Sequence, residues 1–133
     1  MITLVDSNVI LDIATEDAVW GTWSAEALAR AASESSLAIN PLIFAEVSIG
    51  FATVEELEEW LPPHDFARLA LPYEAAFLAG KAFLVYRRRG GRKVSPLADF
   101  YIGAHAAVAG LRLLTRDARR YRTYFPTVVL LAP

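Results

Sequence analysis

The stretch TLVDSN, Thr3 to Asn8, brings an apolar run to an end on an acid. Runs such as ITLV, Ile2 to Val5, read as strands buried on both faces, the habit of a parallel sheet. A carboxylate at the exit of such a strand, Asp6, either caps the helix that follows or faces something cationic. Working outward, similar runs recur as LAI (Leu37 to Ile39), ARLAL (Ala67 to Leu71), LRLL (Leu111 to Leu114) and TVVLL (Thr127 to Leu131). Between them lie segments at helical spacing: Val9 to Ala14, Ser24 to Ser33, Pro41 to Gly50, Val54 to Trp60, Tyr73 to Arg89, Pro96 to Ala109 and Ala118 to Tyr124. This alternation is the signature of an α/β fold, and crossovers of this length favour parallel strands with helices on both faces. The expected architecture is a three-layer α/β/α sandwich around a five-stranded parallel sheet, a single domain over residues 1–133. LPPH, Leu61 to His64, reads as a helix stop before the third strand and not as a domain boundary.

The chain of 133 residues is long enough to bury a core without staples. It has no cysteine, which excludes a disulfide framework and a thiolate metal site and suits a reducing compartment. Asp6 and Asp12 interrupt what would be the apolar part of an export signal. Lys81, His105 and Arg112 break the later apolar stretches well short of the roughly 18 residues of a membrane helix. A cytoplasmic protein with no membrane span is expected. The formal net charge of −2 offers no overall attraction to nucleic acid, so any such binding has to come from a local basic patch. The hydrophobic fraction of 55% is above the roughly 45–50% of ordinary soluble domains. Two explanations stand side by side: a generous core, or apolar surface covered by a partner.

Four acids sit in apolar company. Asp6 follows the first strand, and Asp117 follows the fourth, LRLLT, with only Arg116 between. Ligands of open parallel sheets bind beyond the carboxyl ends of the strands, so both acids belong to that edge. NPLIFAEVSIG opens with an Asn40 cap and Pro41 in the first turn, and Glu46 is its only acid. SPLADFYIGAHAAVAG repeats the design with Ser95, Pro96 and a single acid, Asp99. Asp6 and Asp117 fit helix caps equally well, and the macrodipole favours Asp99 near a helix start. Glu46 has no Lys or Arg in its own helix to hold it. If the four converge, two like charges about 4 Å apart repel by about 4 kcal/mol at an effective dielectric near 20. Either some acids bind protons or a divalent cation sits among them, and an all-oxygen site selects Mg²⁺ or Mn²⁺ over zinc. With the metal, the implied chemistry is hydrolysis of a phosphodiester by an activated water. Ser7, Asn8 and Thr115 flank the acids as candidates to orient them by hydrogen bonds.

At these residues the sequence resembles PIN-domain ribonucleases and, among them, the VapC-type toxins of toxin–antitoxin pairs. VDSNVILDI is similar to the family's first acidic motif, and INPLIFAEV carries its glutamate as Glu46. SPLADFYIGAHAAVAGLRLLTRDARRYRTYFPTVVLL resembles the C-terminal half of the family in its spacing of Asp99, LLTRD and YFP. The resemblance covers nearly the whole chain. It implies that Asp6, Glu46, Asp99 and Asp117 bind Mg²⁺ or Mn²⁺ and that the strand order is 3-2-1-4-5. It further implies RNA cleaved to leave a 5′-phosphate, frequent homodimers, and inhibition by a small antitoxin protein. The helical hairpin over roughly Val54 to Arg89 is the variable part of such proteins.

Basic residues supply candidates for holding RNA. RRRGGRK contributes Arg87, Arg88, Arg89, Arg92 and Lys93 as a loop gripping phosphates without sequence choice. Arg116, Arg119, Arg120 and Arg122 crowd Asp117, where RNA or an acidic partner group are alternatives to a plain solvated helix. Trp20, Trp23 and Trp60 read as packing or partner contacts ahead of base-stacking platforms. His105, six residues beyond Asp99, falls about 240° around the helix and should face away from it. The rival enzyme is a metal-free nuclease using His64 and His105 as base and acid. A receiver-like phosphoacceptor would need an aspartate ending strand three and a lysine ending strand five, but LALPYE and VVLLAP supply neither. A haloacid-type phosphatase would need a second aspartate where Asn8 stands. The non-enzymatic alternative is a degenerate fold that binds RNA or protein without cleaving.

Overall fold

The computed structural model describes residues 1–92 and 97–133. Its elements run β1 (Ile2–Val5), α1 (Ser7–Ala14), α2 (Gly21–Glu34), β2 (Ser36–Ile39), α3 (Pro41–Ser48), α4 (Val54–Trp60), β3 (Phe66–Arg68), α5 (Tyr73–Arg88), α6 (Ala98–Ala109), β4 (Arg112–Leu114), α7 (Arg119–Tyr124) and β5 (Leu130–Leu131). The strands form one parallel sheet in the order β3-β2-β1-β4-β5, the middle layer of a three-layer α/β/α sandwich. β1 is central, with Leu4 opposite Ala38 on one side and Leu113 on the other. Leu4, Val5, Ala38, Leu113 and Leu114 are cut off from water, which is why these strands are unbroken apolar runs without alternation.

All seven helical segments expected from spacing are present, with small differences at their ends. α1 starts at Ser7, two residues before the apolar periodicity begins, because the chain turns helical directly after Asp6. β3 covers Phe66–Arg68 instead of Ala67 to Leu71: its partner β2 ends at Ile39, where Asn40 starts a helix, so the ladder has nothing further to pair with. β5 shrinks to Leu130–Leu131 because Val128 donates back to the Phe125 carbonyl in a turn. α6 begins at Ala98 with Leu97 in the cap position, and Ser95 and Pro96, expected to open it, lie outside the described residues. It ends on Gly110, whose φ of 66° is the left-handed conformation that glycine adopts without steric penalty.

Two joints fix the acid-bearing helices. Asn40 caps α3, its Oδ1 accepting from the Ile43 amide at 2.9 Å, while its Nδ2 stands 3.0 Å from Nδ1 of His105 on α6. His105 is buried, and burial lowers its pKa, so the neutral ring with Nδ1 as acceptor fits the contact. At the other end of α6's packing, Gly103 lies under the Phe125 ring, and an added Cβ would stand 2.4 Å from it. At the amino edge of the sheet, Arg112 donates to Thr3 Oγ1 and Glu34 Oε1, each at 3.0 Å, while its Nη2 is buried without a hydrogen-bond partner among the described residues.

Asn40→Ala is expected to destabilise the protein by about 2–3 kcal/mol, because it removes a cap and leaves a buried ring nitrogen unpaired. Urea unfolding followed by circular dichroism measures this; a loss under about 0.5 kcal/mol would contradict the account.

Candidate active site

Asp6 is placed by the sheet: its amide donates to the Leu114 carbonyl at 2.9 Å, extending the β1–β4 ladder by one step. It occupies the cap position of α1, with φ −66° and ψ 148°, yet its side chain makes no capping bond. The carboxylate turns instead toward β4 and α7. Oδ2 accepts from Thr115 Oγ1 at 2.9 Å and from the Tyr121 hydroxyl at 2.8 Å. Among the described residues Oδ1 has only Ser7 Oγ at 3.4 Å, and the single Ser7 proton goes to Glu46 Oε1 at 2.8 Å. One oxygen of Asp6 is therefore saturated and the other is left with open lone pairs.

The residues flanking the acids all touch them. Ser7 bridges Asp6 and Glu46 across 39 positions of sequence. Thr115 spends its proton on Asp6 and accepts from Asn8 Nδ2 at 3.2 Å and from the Asp117 amide at 3.2 Å. Asn8 returns its Oδ1 to the Arg116 amide at 3.3 Å, tying the β4–α7 turn to the start of α1.

Asp99 lies in the first turn of α6, with Oδ2 at 3.3 Å from Arg120. Asp117 is exposed and forks onto Arg119 at 3.3 and 3.4 Å. Its interaction with the Arg119 amide, at 3.4 Å, is the remnant of the capping role that its position suggests. Among the described residues no three acid or imidazole groups stand close enough to make a finished metal cage. Ser7 lies between the carboxylates of Asp6 and Glu46, while Arg120 sits against Asp99 and Arg119 against Asp117.

Electrostatics separates Asp117 from the other three. Burial, followed by the charges of Asp99 and Glu46, pushes Asp6 up to about 6 against the pull of Tyr121 and Thr115. Burial and the Asp99 charge likewise raise Glu46. Burial raises Asp99 more than Arg120 lowers it, and the Asp117 charge adds to the rise. Arg119 holds Asp117 below the usual carboxylate range. Asp6 and Glu46 thus sense the charge of Asp99 and have no cationic partner among the described residues, while Arg120 offsets Asp99 only in part. Their all-oxygen donor set is the kind that suits a hard divalent cation.

The basic candidates divide. Arg87 and Arg88 belong to the last turn of α5 and not to a loop; Arg89 follows with its guanidinium 5.6 Å from the Tyr124 ring, Arg92 is exposed, and Lys93 lies outside the described residues. Arg120 lies 5.3 Å from the Tyr86 ring and lines, with Tyr86, Asp99, Asp117, Arg119 and Tyr124, a cleft of about 410 Å³. Arg116 is clamped by Asp12, Nε to Oδ2 at 2.7 Å. His105 sits in the core against Asn40, and His64 is exposed beside Asp65, so the two-histidine mechanism has no shared site.

Sequence reasoning missed Tyr121 and Asp12. Tyr121 sits four residues after Asp117, one helical turn on, a spacing that places it beside the same edge. Asp12 stands as the one charge of an otherwise apolar helix face, the same signal that singled out Glu46.

Residues 3–126 match the family model of the PIN domain, and the chain belongs to that family. Among solved structures it is similar to a chain of VapBC2 from Rickettsia felis, bound to a DNA fragment from its promoter, with TM-score 0.75 and 17% identity over 100% of this chain and 99% of that one. VapBC-1 from nontypeable Haemophilus influenzae gives 0.74 and 15% identity, covering 99% and 98% of the two chains. FitAcB from Neisseria gonorrhoeae gives 0.70 and 21%, covering 98% and 96%. No curated protein matches the sequence.

The raised pKa of Asp6 has a defined sign for stability. Protonated Asp6 is favoured in the folded state, so its contribution is fully present below the unfolded value near 3.8 and is lost as pH rises through about 6. At pH 7.5 the ionised group destabilises the metal-free protein by about 3 kcal/mol. Asp6→Asn should therefore melt higher than the parent at pH 7.5 in EDTA, with the difference closing toward pH 4. Thermal melts across that range test it; a parent whose stability rises from pH 4 to 7 relative to Asp6→Asn would contradict it.

Proposed function

We propose that this chain is a Mg²⁺- or Mn²⁺-dependent ribonuclease, the toxin of a toxin–antitoxin pair, with Asp6, Glu46, Asp99 and Asp117 holding the metal. The observation that carries the reading is the treatment of Asp6. A buried carboxylate that caps nothing, has one oxygen saturated by Thr115 and Tyr121 and keeps the other open is arranged as a ligand. When bound, the cation supplies a water of lowered pKa and offsets charge on the scissile phosphate.

The chain's own residues do the positioning. Ser7 and Thr115 fix the carboxylates of Glu46 and Asp6, and Tyr121 ties Asp6 to α7. Arg119 and Arg120 stand next to Asp117 and Asp99, where they would meet the phosphates of the substrate strand. Substrate and reaction follow family membership and these contacts together. A protein partner is supported from the surface: Tyr73, Phe77 and Leu84 fall on one side of α5 at helical spacing and are exposed. The similar solved structures are complexes named VapBC and FitAcB. We assign this chain a small antitoxin partner, a homodimeric state and action in the cytoplasm.

The test is cleavage of an RNA mixture by the purified chain with Mg²⁺ or Mn²⁺. Asp6→Asn and Asp99→Asn should each reduce cleavage by about 100-fold or more while keeping the parent's circular dichroism, and EDTA should abolish it. Expression of the parent should arrest growth, and expression of Asp6→Asn should not. Undiminished cleavage in EDTA or in either variant would refute the assignment.

A further inference from the structure

Beside the acidic cleft lies a second one, of about 330 Å³, whose walls include Trp20, Arg116, Arg119 and Arg122. Asp117 and Arg119 line both clefts, so the two are neighbours across a single wall. Arg116 reaches this place already immobilised. Its Nε lies 2.7 Å from Oδ2 of Asp12, which is buried and also accepts from Ser24 at 2.9 Å. A buried ion pair adds little net stability over apolar packing, but it fixes the orientation of what it holds. Here it holds a guanidinium 5.9 Å from the Trp20 ring, and Trp20 is braced edge-on by Trp23 at 6.2 Å. The result is a preorganised platform of indole and guanidinium. Arg119 is almost fully exposed, and Arg122 is exposed with a side chain that makes no hydrogen bond or ion pair among the described residues.

We propose that this cleft is a nucleotide subsite for single-stranded RNA, in which an unstacked base lies on the Trp20–Arg116 platform and adjoining phosphates meet Arg119 and Arg122. The proposal rests on the ribonuclease reading and adds to it where the strand runs beyond the acids. Flat π surfaces and guanidinium planes accept bases of any sequence, provided the bases are free of a helix. An acidic protein segment would satisfy the arginines but leave the platform unused, so the arrangement favours nucleic acid. Duplex RNA, with its bases stacked inside, is the wrong ligand.

The experiment uses the full chain carrying Asp99→Asn, which prevents cleavage, and a fluorescein-labelled unstructured RNA of about a dozen nucleotides read by anisotropy. Adding Trp20→Ala should weaken binding about tenfold, and Trp20→Phe, which keeps a stacking face, should bind within about threefold of the parent. Arg122→Ala lies on the surface and leaves the core intact, so it tests the subsite even if Trp20→Ala fails to fold. It should weaken binding and reduce the salt dependence by about one counterion. Duplex RNA of the same sequence should not compete. If Arg122→Ala and a folded Trp20→Ala both bind as tightly as the parent, the subsite is wrong while the ribonuclease reading survives. If the parent itself fails to bind single-stranded RNA, the underlying reading falls and the subsite with it. If the variants keep RNA but lose assembly with a protein partner, the face is a protein-docking surface and the proposal is overturned.

Discussion

A carboxylate shut away from water at the end of the central strand governs this molecule. Asp6 would be more stable protonated or in solvent, and among the described residues it has neither a capping bond nor a salt bridge to relieve it. What it receives is two hydroxyl protons on one oxygen, from Thr115 at the exit of β4 and Tyr121 on α7. Those contacts join three separate stretches of chain, and they work only if β1 and β4 are neighbours in register. The strand order that sets Leu4 opposite Leu113 is therefore also what completes the surroundings of the acid.

The helices bring the remaining acids in by the same logic of shared joints. Asn40 serves α3 as a cap and α6 as a hydrogen-bond partner through His105, so the elements bearing Glu46 and Asp99 are pinned to each other within the core. Ser7 then connects Glu46 back to the Asp6 loop. Each linkage is modest alone, about 1 kcal/mol net, but a buried partner left unpaired loses more than that. Rigidity here comes from polar groups that would be stranded if any element slipped.

Much of this was readable in advance, for definite reasons. Buried parallel strands announce themselves as unbroken apolar runs, and Asn40–Pro41 is a helix start that chemistry allows few alternatives to. Asp6, Glu46 and Asp99 stood out because apolar neighbours made their charge conspicuous, and Asp117 because it follows the exit of a strand. Tyr121 did not, since a tyrosine in a run of arginines has no contrast with its surroundings and its role depends on a partner 115 residues away. Arg116 was legible as a cation near the site but not as one held by Asp12, a pairing set by the packing of α1 against the β4–α7 turn. The end of β3 departs from the expected one because a neighbour's termination decides where a ladder stops, and the start of β5 because a turn from Phe125 to Val128 precedes it, neither of which local composition shows.

Six residues are too few to keep a helix folded in isolation, so α7 borrows its position from Tyr121 beneath the acids and from the Phe125 ring seated over Gly103. That dependence runs both ways. Small lesions in this tail, far in sequence from Asp6, Glu46 and Asp99, will surface as faulty chemistry in a chain that still folds, because the sheet carries the bulk of the core without it. Damage to the sheet will erase the protein altogether. The molecule thus divides its vulnerabilities: the interior guards existence, and the last turn of helix guards competence.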